Sequence, residues 1–436
     1  MNRRHHSGGG MVKGGNEVEE GTRGDGQLTS NQELHNIIQQ FPQDELMYAF
    51  GYGSGVFSQQ LSTTTTAAAA AAAANGGGGA AAAGGMLDLI LVVKDARKFH
   101  RANINKHPHH YASWIKLGGG DGSTANWLQR NFMFPDAKVL FHVINDGDDP
   151  VLPPMKYGIV SWEDLCKDLL QWDFLYLAGR LHKPTLPIMT PVPDDFLHAQ
   201  HVNLDAAVAT ALLLSSPKPS PSNSIAISIS TTHDAVKTSN NDQQLLPWST
   251  LYSHIASLSY TGDFRMTMGS VAEDPQKINK LVSAPGQIQR FHDLYRQQEQ
   301  KQPKTNNMLE SLERLGMLSV TATTGSGKGS GSKGGGGGIE WDSSNWLARQ
   351  ELCNKYLPTK FQQHDLIGKI TKRQNINFDN DTMVSIQQEN ISKLLTSIVA
   401  PAARYQSFKG IFTLGLRKSI KYASAKLSKG LFRSKR

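Results

Sequence analysis

The feature that most constrains the fold is an apolar run of strand length, Met86 to Val93 (MLDLILVV), in which Asp88 is the only polar residue. A carboxylate inside an apolar strand is costly to bury unless it is hydrogen-bonded, paired or bound to a metal ion. The run therefore predicts a buried strand of a sheet that carries one acid with a special partner. The alternative is an aspartate at an exposed strand edge, without a ligand.

A second apolar run, Leu46 to Phe50, precedes the glycine-rich sequence GYGSGVF. The glycines Gly53 and Gly55 let backbone N–H groups approach an anion, and a helix that begins after such a turn favours negative charge at its N-terminus. With Ser54 between them, they predict a phosphate-binding turn, and together with Asp88 they outline a magnesium site. A tight turn that binds nothing stays compatible with this motif alone.

Four low-complexity stretches divide the chain, at 1–29, 62–85, 217–244 and 325–338. Each lacks the apolar periodicity that offsets ordering entropy, so we expect disorder or loops there. Strands alternate with helices in a first predicted domain, 30–195, which includes the insertion 62–85. A mainly helical second domain is predicted for 196–403, with the other two linkers inside it. The turn and Asp88 can be adjacent in space if the insertion loops out.

Within the first domain, strands are predicted at Val139 to Ile144 and Tyr157 to Val160. Ser161 then stands where a helix cap is expected, and apolar residues follow at helical spacing up to Gly179. This pattern predicts one helix between Ser161 and Gly179.

Positive charge is concentrated at the end of the chain. Residues 404–436 hold ten Lys or Arg and no acid, and taking these ten from the net charge of +8 leaves −2 for the remainder. Apolar residues of this segment recur every three or four positions and share one helix face: Phe412, Leu416, Ile420, Ala423, Leu427 and Leu431. Such a basic amphipathic helix binds an anionic membrane surface. Nucleic acid or an acidic protein groove is the alternative partner.

Two structural features are not expected from the sequence: a cysteine-based framework or zinc site, and a membrane span. Only Cys166 and Cys353 occur, so we expect neither a disulfide framework nor a cysteine-based zinc site. No run of 18 strongly apolar residues occurs, so no membrane span is expected. The N-terminal residues carry basic and no acidic side chains up to Lys13, but they lack the apolar helical face of a transit peptide.

Five sequence blocks, in order, resemble the mitochondrial phosphatidate cytidylyltransferases, also called translocator assembly and maintenance proteins. The blocks are FPQDELMYAFGYGSGVF, LDLILVVKDARKFHRANINKHPHHYAS, MKYGIVSWEDLCKDLLQWDFLYLAGRLHKP, LSYTGDFRM and SFKGIFTLGLRKSIKYASAKL. The resemblance implies an α+β protein: a nucleotidyltransferase-fold domain, a mainly helical, winged-helix-like domain, and the C-terminal amphipathic helix at 404–436.

The resemblance also implies an enzymatic activity and a cellular location. The reaction would join CTP and phosphatidic acid into CDP-diacylglycerol and pyrophosphate, with Mg²⁺ as the metal, and supply phosphatidylglycerol and cardiolipin synthesis. The protein would be peripheral, on the matrix side of the mitochondrial inner membrane. A diacyl phosphate substrate makes a membrane the expected partner of the basic tail, rather than nucleic acid.

By the same resemblance, Gly53, Ser54 and Gly55 hold the triphosphate and Asp88 holds the metal. Lys156, in MKYG, is predicted to be catalytic together with Ser54 and Asp88. Two further cations, Arg180 and Lys183 in AGRLHKP, are predicted to lie near the triphosphate or the lipid phosphate. One departure concerns the metal: Ile90 stands where many nucleotidyltransferases carry a second acid, and Asp95 lies past the strand end. The second metal ligand is therefore unassigned.

Other residues of these blocks have two readings. Asp263 and Arg265 either bind substrate or form a structural ion pair at the domain junction, and we favour the ion pair. The group of His100, Asn103 and Tyr111 could contact the nucleotide, although His100 could equally be a hydrogen-bonded core histidine. For the whole chain, the alternatives are a non-catalytic membrane scaffold for translocase assembly and a nucleotidyltransferase that acts on nucleic acid.

Overall fold

The computed structural model describes residues 25–53, 56, 86–118, 120–131, 137–145, 147–215, 244–267, 276–284, 286–296, 308–321, 337–363 and 379–414. These residues form a five-stranded mixed sheet and a three-stranded antiparallel sheet, both packed with helices. The α+β class predicted from the sequence is confirmed.

The first sheet is built around the apolar run that contains Asp88. Its strands are β1 (Leu46–Tyr52), β2 (Leu87–Val93), β3 (Leu140–Ile144), β4 (Met155–Ser161) and β5 (Leu186–Pro187). The strand order is β3-β4-β2-β1-β5, with β2 parallel to β4 and all other neighbours antiparallel. Because β2 is the middle strand, it is apolar on both faces, as strands covered on both sides are.

Helices cover both faces of this sheet. They are α1 (Asp25–Gln39), α2 (Ala96–Lys106), α3 (Ser113–Leu117), α4 (Ser123–Asn131), α5 (Trp162–Gln171) and α6 (Ala178–Leu181). Alternate β2 residues point to opposite faces: Leu89 packs with α1 and α2, whereas Ile90 packs with α5 and the second domain. Helix α1 begins at Asp25, inside the stretch 1–29 predicted to be disordered, and buries Leu34 and Ile38 under the sheet.

The helix predicted between Ser161 and Gly179 is shorter than expected. Ser161 caps α5 as predicted, since its Oγ accepts a hydrogen bond from Asp164 N at 3.2 Å. The helix nevertheless ends at Gln171, and Trp172 adopts a left-handed φ of 53°. The carboxylate of Asp168 accepts hydrogen bonds from the five backbone N–H groups of residues 174–178. These bonds stabilise a loop where apolar spacing alone predicted more helix.

The second domain combines helices with a small sheet that the sequence did not reveal. Its helices are α7 (Asp194–Leu214), α8 (Trp248–Ser257), α9 (Phe264–Thr267), α10 (Lys277–Ser283), α11 (Gln287–Arg296), α12 (Met308–Arg314), α13 (Trp346–Glu351) and α14 (Thr359–Gln363). Its strands are β6 (Gln244–Pro247), β7 (Leu318–Thr321) and β8 (Gly338–Trp341), in the order β6-β8-β7. Strands β6 and β8 each begin on the last residue of a predicted linker.

The last described helix, α15 (Asn380–Leu414), runs through the predicted domain boundary at 404. Its final turns pack against the first domain: Gln406 Nε2 donates to Val139 O at 3.0 Å, and buried Lys409 donates through Nζ to Gln129 O at 3.1 Å. The boundary at 404 is therefore corrected, because residues 404–414 continue a docked helix. Among the helices that the structure describes, none is long and apolar enough to cross a bilayer.

Candidate active site

Gly53 and Asp88 lie next to each other at one end of the sheet. Strands β1 and β2 pair so that Tyr52 stands opposite Asp88, and Gly53 follows immediately with a φ of +79°. A Cβ added at Gly53 would lie 3.6 Å from Asp88 Oδ2, so Gly53 is close to the carboxylate of Asp88. Ser54 and Gly55 lie outside the described residues, so their predicted roles stay predictions.

Lys156 stands beside Asp88 on the other neighbouring strand. The parallel pairing of β2 with β4 places the two residues in register, and alternation directs both to the face that packs on the second domain. Its ammonium Nζ lies 4.3 Å from the centroid of the Phe141 ring. A cation and an acid thus stand side by side in the middle of the sheet.

Arg180 extends from α6 over the end of β1. Its guanidinium carbon lies 4.1 Å from the centroid of the Tyr52 ring and 5.4 Å from that of Tyr176. Burial opposes its charge, but the neighbouring Tyr52, Tyr176 and Asp88 raise the pKa of Arg180 above its usual value. Its buried Nε has no hydrogen-bond partner among the described residues, so a donor is left for a ligand.

Lys183 adds a second cation close to Arg180. Its Nζ donates to Gly179 O at 2.9 Å and to Ser259 Oγ at 2.7 Å, and lies 4.6 Å from the Tyr260 ring centroid. Burial, followed by the charges of Arg180 and Lys277, holds the pKa of Lys183 well below its usual value. An anion bound here would relieve that repulsion.

Helix α7 positions the short segment that carries these two cations. Asn203 Nδ2 donates to Ala178 O at 3.1 Å, and Gln200 Nε2 donates to Leu181 O at 2.7 Å. Together with the hydrogen bonds that Asp168 accepts from residues 174–178, these bonds satisfy buried backbone groups on both sides of Arg180. The side chain therefore extends from a fixed backbone.

The two predicted domains are in close contact at this segment. A Cβ added at Gly179 would lie 2.3 Å from Ser259 Cβ, in the 3₁₀ turn Leu258–Tyr260 of the second domain. Only glycine fits at such a distance. Because Ser259 also accepts the hydrogen bond from Lys183, the second domain contributes directly to the site.

Neither of the two positions considered from the sequence adds a second acid beside Asp88. Ile90, at the position of the missing acid, is fully buried in the core. Asp95 lies past the far end of β2, where its Oδ1 caps α2 by accepting from Lys98 N at 3.1 Å. A single carboxylate suits Mg²⁺, which is commonly held by one or two carboxylates together with substrate phosphates and water.

The group of His100, Asn103 and Tyr111 belongs to the core. His100 is fully buried, and its ring nitrogens contact the Tyr111 hydroxyl at 3.0 Å and Gln129 Oε1 at 2.8 Å. Burial lowers the pKa of His100 to about 4, so this imidazole is neutral at physiological pH. Of the two readings of these residues, the structure favours the core network.

The ion pair at the domain junction has the geometry of a structural pair. Arg265 donates through Nε and Nη2 to the buried carboxylate of Asp263, at 3.0 Å and 2.6 Å respectively. The pair spans two residues at the start of α9, which fixes the turn after Gly262.

Several neighbours of the site were not singled out from the sequence. Tyr52, Ser259 and Tyr260 stand inside the quoted blocks, so a search of those blocks for aromatic and hydroxyl side chains could have found them. Lys277 lies in none of the blocks, although its Nζ is 5.3 Å from the Tyr260 ring centroid. No local pattern marks it, because only the packing of α10 within the second domain brings it near Tyr260.

A strand acid beside Gly53, with two buried cations close by, suits a nucleotidyltransferase, an enzyme that transfers nucleotidyl groups. A sequence profile described as "Phosphatidate cytidylyltransferase, mitochondrial" matches residues 34–224 and 243–429. The chain belongs to this family.

Individual relatives carry the same description over most of both chains. A Drosophila melanogaster protein is 31% identical over 397 residues, which cover 90% of this chain and 96% of the relative. A Rattus norvegicus protein is 30% identical, with 91% and 94% covered, and a Caenorhabditis briggsae protein is 27% identical, with 92% and 98% covered. All three are described as mitochondrial phosphatidate cytidylyltransferases.

Proposed function

We propose that this chain is a mitochondrial phosphatidate cytidylyltransferase, which makes CDP-diacylglycerol and pyrophosphate from CTP and phosphatidic acid. One observation carries the proposal: Arg180 lies over Tyr52, with an unused buried donor, directly beside Asp88 and the Gly53 turn. Cations and an acid in this arrangement suit a nucleoside triphosphate together with a second anionic substrate.

The chemistry is an in-line displacement. An oxygen of the phosphatidate phosphate forms a bond to the α-phosphorus of CTP, while the bond from that phosphorus to the bridging oxygen of the β-phosphate breaks. The bonding electrons leave with pyrophosphate. The attacking phosphate is already ionised, so no general base is needed. The protein must hold two anions together and stabilise the charge on the leaving group.

The side chains divide this work by position. Lys156 is beside Asp88 in the sheet and faces the α- and β-phosphates in our assignment. Arg180 and Lys183 lie on α6 and just after it, where they counter the charge of the pyrophosphate or of the lipid phosphate. We assign Ser54 and the backbone of Gly53 and Gly55 to the triphosphate.

We assign the metal to Asp88. Its carboxylate, with phosphate oxygens of CTP, would hold Mg²⁺, and the ion would supply Lewis-acid stabilisation of phosphate charge.

The decisive experiment uses purified full-length chain, labelled CTP, Mg²⁺ and liposomes that contain phosphatidic acid. We expect labelled CDP-diacylglycerol and an equal amount of pyrophosphate. Asp88→Asn should reduce turnover by at least about 10²-fold, because it removes the charge that holds the metal. Asp44→Asn, at an exposed acid outside the site, is the matched control and should keep full activity.

Absence of both products from the wild-type protein would refute the enzyme. If Asp88→Asn were as active as Asp44→Asn, the metal assignment would fail while the activity itself stood. The non-catalytic scaffold and the nucleic-acid enzyme are not favoured by the relatives' descriptions.

We further propose that the enzyme is peripheral on the matrix side of the mitochondrial inner membrane, anchored by the end of the chain. Eight of the ten basic residues of the tail fall within 415–436, after the docked part of α15. Each cation near anionic headgroups contributes about 1 kcal/mol of binding free energy. Lys409 is excluded from this role because it is buried against the first domain.

A further inference from the structure

Three histidines and one aspartate converge on the sheet face opposite Asp88. His107, His109 and His110 lie at the turn after α2, and Asp149 lies in the loop before β4. One ligand atom from each of the four residues lies within 4.8 Å of all the others. The distances to Asp149 Oδ2 are 2.6 Å from His109 Nε2, 2.9 Å from His110 Nε2 and 3.6 Å from His107 Nδ1.

The hydrogen bond of His107 to Gln40 leaves its other ring nitrogen facing the cluster. His107 Nε2 lies 2.8 Å from Gln40 O, and a carbonyl oxygen only accepts, so Nε2 carries the proton. Nδ1 is therefore the nitrogen of this ring that faces Asp149 Oδ2. A metal ion between these two atoms would be bound by both.

The surroundings orient each group as the outer shell of a metal site does. The second nitrogen of His107 is held by Gln40 O, and Nδ1 of His110 contacts the Tyr157 hydroxyl at 2.8 Å. The other oxygen of Asp149, Oδ1, accepts from the backbone N–H groups of Val151 and Leu152, both at 2.7 Å. Metal-binding histidines almost always donate their second N–H to such a carbonyl, carboxylate or water, which fixes the ring.

Three of the four side chains are buried, so the cluster is part of the packed structure and not a chance grouping on the surface. The side chains of His110 and Asp149 are each 1% exposed and that of His107 is 9% exposed, whereas His109 is 38% exposed and closes the cluster from outside. The rings of His107 and His110 stack with a centroid distance of 4.7 Å and an interplanar angle of 3°. Their orientation is therefore set by packing on both sides.

We propose that His107, His109, His110 and Asp149 bind a zinc ion. Imidazole and carboxylate ligands suit Zn²⁺, and four protein ligands make a closed, structural site. Zinc bonds of 2.0–2.1 Å would place tetrahedral ligand atoms about 3.3 Å apart, which lies between the shortest N–O distance of 2.6 Å and the 4.8 Å that bounds the cluster.

The ion would cross-link segments of the chain that lie outside the long helices and the strands. It would join the turn after α2 to the loop that leads into β4, and through Gln40 it would also fix the end of α1. Tyr157, on the same face, follows Lys156 in β4, so the site supports the strand that carries a predicted catalytic cation. This zinc is separate from the Mg²⁺ assigned to Asp88, and its presence does not depend on the proposed activity.

The test is the metal content of untagged, full-length protein from zinc-supplemented cells. Elemental analysis should find about one zinc per chain after dialysis, and competition with a chromophoric chelator should give its affinity. His109→Gln keeps the buried groups in place and should weaken zinc binding at least about tenfold. His198→Gln, at an exposed histidine outside the cluster, is the matched control and should bind as the wild type does.

Asp149→Asn gives a second, charge-specific readout. Apo protein loaded with Co²⁺ should show the visible d–d absorption of a tetrahedral ion, and both cluster variants should lose it while circular dichroism verifies that they are folded. Zinc content below about a tenth of an ion per chain in the wild type would overturn the proposal. So would a folded His109→Gln variant with unchanged zinc affinity.

Discussion

At the scale of single residues, the cost of burying a carboxylate singled out Asp88 from the sequence. An aspartate in an apolar strand needs a special environment, and the structure places Asp88 beside Gly53 although residues 54–87 separate them. Nothing local predicted that Arg180 would lie over Tyr52, because a cation above a ring depends on where two distant segments pack. The sequence therefore predicted that Asp88 has an unusual environment, but not which side chains contact one another.

Arg180→Lys should lower kcat/KM on the order of 10²-fold in the liposome assay. Lysine keeps the charge but lacks the planar guanidinium that stacks on Tyr52 and presents several donors at once. The free energy of unfolding should change little, so the loss would be one of catalysis.

Arg101→Lys, at an exposed arginine of α2, serves as the comparison and should keep its kcat/KM. Should the two lysine variants be equally active, Arg180 would have no part in binding phosphate.

At the scale of elements, periodicity predicted the strands well but overestimated one helix. Strands β2, β3 and β4 appear where the sequence predicted them, because each contains a short and mostly apolar run. Helix α5 ends early because Asp168 binds five N–H groups of the following loop, a set of contacts that spacing rules do not contain. This loop leads into α6, and so sets the direction of Arg180.

Gly179→Ala should destabilise the protein by about 1–3 kcal/mol, measured by urea unfolding. The added methyl would lie 2.3 Å from Ser259 Cβ, so α6 and the 3₁₀ turn of the second domain must separate. Activity should fall as well, since Lys183 is held across that contact.

Adding Ser259→Gly to Gly179→Ala should recover part of the lost stability, because the clashing Cβ is gone. Gly410→Ala is the matched control: nothing lies within 4 Å of its added Cβ in α15, so stability should be unchanged or higher by about 0.5–1 kcal/mol. A Gly179→Ala variant as stable as Gly410→Ala would contradict the close contact.

At the scale of the whole molecule, Leu414 divides the end of the chain into a packed helix and a basic segment that follows it in the sequence. Residues up to Leu414 belong to a helix that packs on β3 and α4, while the cationic remainder follows. The sequence predicted the charge and the helical spacing, but it assigned both parts to the membrane. Helix α15 instead forms hydrogen bonds with the first domain, some 270 residues earlier in the sequence, so its last turns pack on the protein.

Deletion of 415–436 should weaken binding to cardiolipin-containing liposomes at least about tenfold, measured by sedimentation, because eight cations are removed. Stabilisation of the protein by CTP should persist, since the described site is untouched. Neutral liposomes should bind both proteins weakly. Equal binding of both proteins to anionic liposomes would refute the anchor.

Deletion from 404 onward is the instructive comparison, because it also removes the hydrogen bonds of Gln406 and Lys409 to the first domain. It should lower the unfolding temperature, whereas deletion from 415 should not.

The sequence by itself determined the α+β class, the central strand with its acid, and the family, because each depends on local composition or on ordered motifs. Only the tertiary structure decided which cations lie close together, where helix α5 ends, and how far helix α15 continues. It also brought three histidines together around Asp149. The physical reason is the same in each case. Hydrogen bonds, stacking and charge repulsion act over a few ångströms in space, and sequence separation does not record which residues the packed core brings that close.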